Sequence, residues 1–204
     1  MKKFLIVGIT GILGSGKTTV SEIIKKMGFK LISCDAIVND LLEKKRIINK
    51  FKKILGEDIL TDGKINRKIV RKIIFNDISK KREIESLLHP IVFKKIKEKI
   101  LDIKEKDGII FIEIPLLFET KSEKLFDKII VVSAPLKEIK KRLIGKYSEE
   151  EIEKIWKSQL SISYKKKRAD YILNNSGSIL ETEKKVKKII KDLLRIKGEQ
   201  NGRN

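Results

Sequence analysis

Residues 8–19 read GITGILGSGKTT and follow directly on the apolar run Phe4-Leu5-Ile6-Val7. Within them, Gly11-Ile12-Leu13-Gly14-Ser15-Gly16-Lys17-Thr18 meets G-x-x-x-x-G-K-[ST] at every specified position. No other stretch constrains the fold as much, because this pattern carries its meaning only between a strand and a helix. Glycines let the backbone curl until successive N–H groups point inward at phosphate oxygens. The positive end of the following helix adds to that field. Lys17 can reach the β- and γ-phosphates, the Thr18 hydroxyl can ligate Mg²⁺, and Thr19 is a further phosphate contact. Gly14, Ser15 and Gly16 complete the nucleotide-binding set. A ligand-free glycine turn is the alternative, and the flanking strand and helix weigh against it.

Around that anchor, residues 4–9 read as a buried strand. Residues 17–27 read as a helix, with Val20, Ile23, Ile24 and Met27 at helical spacing and Gly28 as its C-terminal cap. Further strands are predicted at 31–33, 109–114, 128–133 and 171–173. Helical regions are predicted at 36–106, 136–168 and 179–196, with 197–204 frayed. The first region is broken by Gly56-Glu57-Asp58, Asp62-Gly63 and Leu88-His89-Pro90, with Pro90 in the first turn of a new helix. Short apolar strands separated by helical crossovers predict an α/β fold, a parallel sheet with helices on both faces. Two crossovers are longer than closure requires. They predict subdomains over the C-terminal edge of the sheet, where ligands bind in such folds.

The formal charge of +20 predicts attraction to polyanions, either nucleic acid or phosphorylated small molecules. The excess comes from 40 Lys against 8 Arg, with Lys spread over nearly every helix opposite Ile or Leu. That is the pattern of a solvated face, whereas base reading favours Arg and aromatics, so nucleic acid is the weaker reading. Cys34 stands alone, which excludes an internal disulfide and a cysteine zinc site. The N-terminal apolar run ends in glycines rather than a cleavage site, and no apolar stretch reaches the roughly 18 residues of a span. A soluble, cytoplasmic monomer without a membrane partner is expected.

The phosphate loop says where a donor sits and leaves the acceptor open. Asp35, just past the second strand, can accept a hydroxyl proton, orient that hydroxyl or help hold Mg²⁺; it can equally be the N-cap of a helix beginning at Ala36. Glu113 is a carboxylate at the end of an otherwise apolar strand, costly to bury unless paired. It suits an outer-sphere Mg²⁺ role or a nearby Lys. His89, the single histidine, reads locally as a structural turn residue. Arg142, in Lys140-Lys141-Arg142, is either a lid residue over the nucleotide or part of a solvated face.

Taken together, GITGILGSGKTT, Cys34-Asp35-Ala36, Asp62-Gly63-Lys64-Ile65-Asn66-Arg67, Ile74-Phe75, Leu87-Leu88-His89-Pro90, Ile114-Pro115-Leu116-Leu117-Phe118-Glu119, and Gln159 ahead of Ala169-Asp170-Tyr171-Ile172-Leu173-Asn174-Asn175 resemble dephospho-CoA kinase. The resemblance covers about residues 4–190 in order. It implies a P-loop kinase fold with a five-stranded parallel sheet in one domain over 1–204, residues 36–106 forming a helical acceptor-binding subdomain and 135–168 a lid. The implied reaction moves the γ-phosphate of ATP to the ribose 3′-hydroxyl of dephospho-CoA, with Mg²⁺, in the last step of coenzyme A synthesis. The resemblance makes Asp35 the base and Arg142 the lid arginine. Arg67, His89, Leu116 and Leu117 line the acceptor side, and Asn174 or Asn175 lies near adenine. Ile12 stands where the family commonly has a second glycine. Ile162 stands where many members carry a further lid arginine, which Lys165 or Lys166 would replace. The rivals are a nucleoside monophosphate or shikimate kinase of the same architecture, and a nucleic-acid-stimulated ATP-binding protein. The His-Pro and Pro-Leu-Leu elements count against the former, and the lack of an RNA-binding motif or aromatic series against the latter.

Overall fold

The computed structural model describes residues 4–103 and 108–201, the latter without the side chains of residues 200 and 201. In chain order the elements are β1 (Phe4–Thr10), α1 (Lys17–Lys26), β2 (Lys30–Ser33), α2 (Cys34–Leu42), α3 (Lys45–Leu55), β3 (Leu60–Thr61), β4 (Lys64–Ile65), α4 (Arg67–Asn76), α5 (Ile78–Leu101), β5 (Gly108–Glu113), β6 (Lys128–Ser133), α6 (Leu136–Leu143), α7 (Glu149–Lys157), α8 (Ile162–Lys167), β7 (Tyr171–Asn174) and α9 (Ile179–Asn201). They form two compact units, one of Cys34–Ile103 and one drawn from the chain on either side of it.

The flanking unit holds the five-stranded sheet, in the order β2-β5-β1-β6-β7. Every neighbouring pair is parallel. β1 and β5 read as near-continuous apolar runs because both of their faces are covered. On one face Leu5, Val7, Ile9, Ile109, Phe111, Ile130, Val132 and Leu173 bury against Val20, Ile23 and Ile24 of α1 and Val186, Ile190 and Leu193 of α9. The register sets Glu113 opposite both Ile9 and Ser33, so β1, β2 and β5 end level with one another. Their outgoing loops therefore leave from one edge. Among the described residues no helix is long and apolar enough to cross a membrane.

Residues 136–168 form three helices rather than one stretch. Gly145, at φ 77°, follows α6. Ser148 and Glu151 then make a reciprocal capping box for α7, and the Ser161 side chain caps α8. A satellite core of Ile139 and Leu143 from α6 and Ile152 from α7 closes around Ile12 of the phosphate loop. At the other end, α9 runs on to Asn201 past the predicted fraying point, supported by the Arg195–Glu199 pair at 2.8 Å and the buried Lys197 stem.

The unit of Cys34–Ile103 is helical, with α5 packed against α2, α3 and α4. Two local predictions differ here, and the break predicted at Asp62-Gly63 is present as a hairpin. Helix α2 begins at Cys34, so Asp35 lies inside its first turn and is not an N-cap. Asp62-Gly63 is the two-residue turn of the β3–β4 hairpin, both residues at positive φ (51° and 74°), as such a turn requires. Finally, α5 runs unbroken through Pro90, which sits in its interior and not in a first turn. An interior proline costs about 3 kcal/mol. The buried residues Ile84, Val92 and Ile96 lie on one helical stripe on both sides of it, and a break would have rotated them apart.

Candidate active site

The phosphate loop leaves β1 and enters α1 through Gly16, whose φ of 91° no side-chain-bearing residue holds without strain. The position is also crowded: a Cβ there would meet Arg142 Nη1 at 3.1 Å and Asn175 Cγ at 3.2 Å. Both neighbours are braces. Arg142, on α6, donates from Nη1 to Ser15 O (3.2 Å) and Gly14 O (3.4 Å), and from Nη2 to Asn175 O (2.5 Å). Asn175 is buried just beyond β7. Its Nδ2 donates to Ser15 O (3.1 Å), its Oδ1 accepts from Thr182 Oγ1 (2.9 Å), and its backbone N–H bonds Ser133 O (2.7 Å). A third brace is Gln159, whose Oε1 accepts from Leu13 N (3.1 Å).

These contacts occupy loop carbonyls and one outer N–H, so the loop's curl is held from outside. Lys17 folds over it, donating to Gly11 O (3.1 Å) and Ile12 O (3.2 Å). Ser15 Oγ is fully buried without a protein partner, an arrangement costly for stability and suited to meeting a phosphate oxygen. The first-turn amides of α1, at Lys17, Thr18 and Thr19, lie beyond the reach of intrahelical acceptors. Thr18 and Thr19 are exposed there.

The structure thus brings Gly14, Ser15, Gly16, Lys17 and Arg142 together. Asn174 is exposed, its backbone O accepting from Lys185 Nζ (2.8 Å); its neighbour Asn175 is the one that holds the loop. Glu113 is buried at the end of β5. Among the described residues no cluster of three or more His, Cys, Asp or Glu side chains could hold a metal. A Mg²⁺ carried by nucleotide phosphates needs no such cluster, because it takes one or two protein oxygens and completes its shell with phosphates and water. Thr18 and Glu113 are oxygen donors of that kind, so the residues fit.

The loop after β5 carries Leu116 and Leu117. Leu116 is half-buried, whereas the Leu117 side chain is fully buried beneath Gly8, and its carbonyl accepts from Ser122 Oγ (2.8 Å). Leu117 therefore anchors this loop from the core. In the helical unit, Asp35 is exposed in α2, Arg67 is exposed as the first residue of α4, and His89 is half-buried within α5. The Asn66 side chain caps α4 directly before Arg67, accepting from Lys68 N (3.0 Å) and Ile69 N (3.3 Å).

Comparison with known proteins agrees with this arrangement. The family model described as dephospho-CoA kinase matches residues 5–181. A dephospho-CoA kinase of Aquifex aeolicus is 38% identical over 192 residues, covering 93% of this chain and 97% of that protein. The solved structure of a Campylobacter jejuni dephospho-CoA kinase matches with a TM-score of 0.67 at 32% identity, over 92% of this chain and 96% of that one. A crystal structure from Thermus thermophilus matches with a TM-score of 0.80 at 29% identity, over 94% and 99%. With the phosphate loop, its cations and the level strand ends in place, this chain belongs to the dephospho-CoA kinase family.

Proposed function

We propose that this chain transfers the γ-phosphate of ATP to the ribose 3′-hydroxyl of dephospho-CoA, yielding coenzyme A and ADP. The observation that carries the reading is the phosphate loop with two cations, Lys17 and Arg142, on its backbone carbonyls, in a chain of this family. The kinase readings for shikimate or a nucleoside monophosphate are not favoured beside it.

Binding of the triphosphate exchanges carbonyl contacts for charge-assisted ones. Lys17 Nζ turns from Gly11 O and Ile12 O to phosphate oxygens, and the Arg142 guanidinium offers its planar fork. Ser15 Oγ and the first-turn amides of α1 donate to the same oxygens. Asp35 takes the proton of the 3′-hydroxyl as its oxygen bonds to the γ-phosphorus. The bond from that phosphorus to the β,γ-bridging oxygen breaks, and ADP leaves. Lys17 and Arg142 meet the charge spread over the transferring group. Thr18 and Glu113 would hold Mg²⁺, which would supply further neutralisation of phosphate charge when bound. Thr19 adds a phosphate contact, Asn174 lies on the adenine side, and Arg67, His89, Leu116 and the Leu117 backbone serve the acceptor.

We assign residues 36–106, of which 104–106 lie outside the described residues, as the acceptor subdomain and 135–168 as the lid of one kinase domain. We also assign it as a cytoplasmic monomer; its small-molecule substrates support the reading that no nucleic-acid partner is needed.

Coupled ADP release with dephospho-CoA, AMP, shikimate or RNA in turn tests the reading. Stimulation by dephospho-CoA alone is expected; stimulation by AMP without it overturns the proposal. Asp35→Asn is expected to lower turnover by about 10²–10⁴-fold, the usual contribution of a general base, while sparing ATP binding. Unchanged turnover removes Asp35 from the chemistry.

A further inference from the structure

Residues 159–165 tie two loops together. On one side, Gln159 Oε1 accepts from Leu13 N in the phosphate loop (3.1 Å). On the other, the next residue, Leu160, donates its N–H to Glu119 Oε1 (2.9 Å), at the end of the loop that follows β5. Lys165 completes the tie, with Nζ 2.8 Å from the same Oε1 and 3.3 Å from Pro115 O. Thr10 Oγ1, at the end of β1, donates to that same carbonyl (3.0 Å). Phe118 meets Tyr164 edge-on at 6.3 Å, and the Arg168 guanidinium lies 3.7 Å over the Tyr164 ring.

The Lys165 side chain is 0% exposed and that of Glu119 14%. A lysine buried this completely needs a matching charge and acceptors for its protons, and Glu119 and Pro115 O supply them. Stability alone does not call for the pair. Glu119 Oε2 is buried with no hydrogen-bond partner, and apolar residues of similar volume often stabilise a site as well as a buried ion pair does. The pair adds fixed placement, because one carboxylate oxygen takes both the Lys165 ammonium and the Leu160 N–H. That holds the backbone beside Gln159, and Gln159 holds the phosphate loop.

We propose that Lys165 and Glu119 are positioning residues for phosphoryl transfer. Through the strap 159–165 they set the phosphate loop and the loop 115–119 at a fixed separation. The proposal rests on reading 115–119 as an acceptor-side loop. The same geometry answers which lysine could stand in for the lid arginine that Ile162 displaces. The Lys165 ammonium is engaged by Glu119 and Pro115, so it does not serve a phosphate, and of the two only Lys166 keeps a partly exposed side chain.

In-line transfer tolerates little error: a misplacement of about 1 Å costs on the order of 10²-fold in rate. The test compares wild type with Lys165→Met, Glu119→Gln and the double variant. It measures melting temperature, kcat, KM for ATP and dephospho-CoA, and exchange of the Leu13 amide. Lys165→Met leaves Glu119 buried and unmatched, and is expected to melt lower and lose kcat by on the order of 10²-fold. The double variant removes both charges. It should recover most of the melting temperature and keep the kcat loss, with KM for ATP within about twofold of wild type. Leu13 should exchange on the order of tenfold faster in all three variants. Recovery of kcat along with melting temperature in the double variant overturns the positioning role. Leu13 exchange at the wild-type rate in the variants overturns the strap. Should wild type fail to turn over dephospho-CoA, the functional reading fails, and Leu13 exchange still decides the strap.

Discussion

Ile12→Ala tests whether the phosphate loop and the helices after β6 are one mechanical body. Ile12 is 7% exposed and packs with Ile139, Leu143 and Ile152, themselves 0%, 4% and 7% exposed. The change deletes three carbons, each worth about 0.8 kcal/mol of burial, so about 2.4 kcal/mol of transfer free energy is lost. A residual cavity would push this toward the range of about 2–5 kcal/mol seen for such truncations. The cluster is a small satellite with room to relax, which favours the low end, about 2–3 kcal/mol. Arg142 lies on α6 beside Ile139 and Leu143, so slack in the cluster also loosens the placement of its guanidinium against the nucleotide phosphates. Losing about 1.4 kcal/mol of a charge-assisted contact corresponds to about tenfold weaker nucleotide binding. Urea unfolding and titration with a non-hydrolysable ATP analogue measure the two effects. Ile12→Val, expected to cost about 0.5–1.5 kcal/mol, calibrates the series. Ile12→Gly adds backbone entropy and should cost more than alanine. Stability of Ile12→Ala within about 0.5 kcal/mol of wild type, the ordinary scatter of surface changes, would refute the packing argument.

Arg142→Met is expected to weaken ATP binding by about 10–100-fold, from the loss of a charge-assisted fork, with Arg142→Lys recovering only part of it; equal affinity for all three in calorimetry would refute the lid role. Asn175→Ala leaves the Ser15 carbonyl and the Thr182 hydroxyl each with one partner fewer, and should cost about 1–3 kcal/mol in denaturant unfolding together with weaker nucleotide binding. Tyr171 donates to Asp192 Oδ2 at 2.5 Å, and burial first, then that hydrogen bond, push its pKa from 10.0 up to about 12. The folded state therefore keeps this proton where the unfolded chain has lost it. The resulting stability is complete below pH 10 and is lost as the pH rises towards 12. The stability difference between wild type and Tyr171→Phe should shrink across that window, and a pH-independent difference would refute the assignment.

What the sequence made legible follows the range of the interaction that decides each feature. The strand–loop–helix at the N-terminus is local: an apolar run, glycines at fixed offsets and a helical stripe of Val20, Ile23 and Ile24 lie within adjacent turns of chain. The level ending of β1, β2 and β5 follows from their parallel crossovers. Local signals also existed for some features that pattern reading passed over. Asp62-Gly63 is a strong hairpin turn, and Ser148 with Glu151 spells a capping box. Pro90 was misleading for the opposite reason, because its local preference to break a helix is outweighed by the tertiary burial of Ile84, Val92 and Ile96.

The braces of the loop belong to a different class. Gln159 reaches Leu13 across 146 positions, Arg142 reaches Ser15 across 127, and Asn175 reaches Ser15 across 160. No local period or spacing reports such pairings. The only sequence signal for them is residue type: an Arg in a Lys-rich helix, a Gln before a short polar turn, two consecutive Asn after a strand. Residue type also misled at Lys165. It sits in a Lys-Lys-Lys-Arg run that reads as solvated surface, yet it is fully buried against Glu119. Its neighbours Lys166 and Lys167 keep partial or full exposure, so helical phase alone separates one buried cation from an otherwise exposed run. The division has a chemical logic. Residues that would touch phosphate are spelled by the motif, because phosphate chemistry is the same in every such loop. Residues that hold the loop depend on how this chain packs: Ile12 fills space against α6 and α7, and the loop and those helices share one small core in consequence.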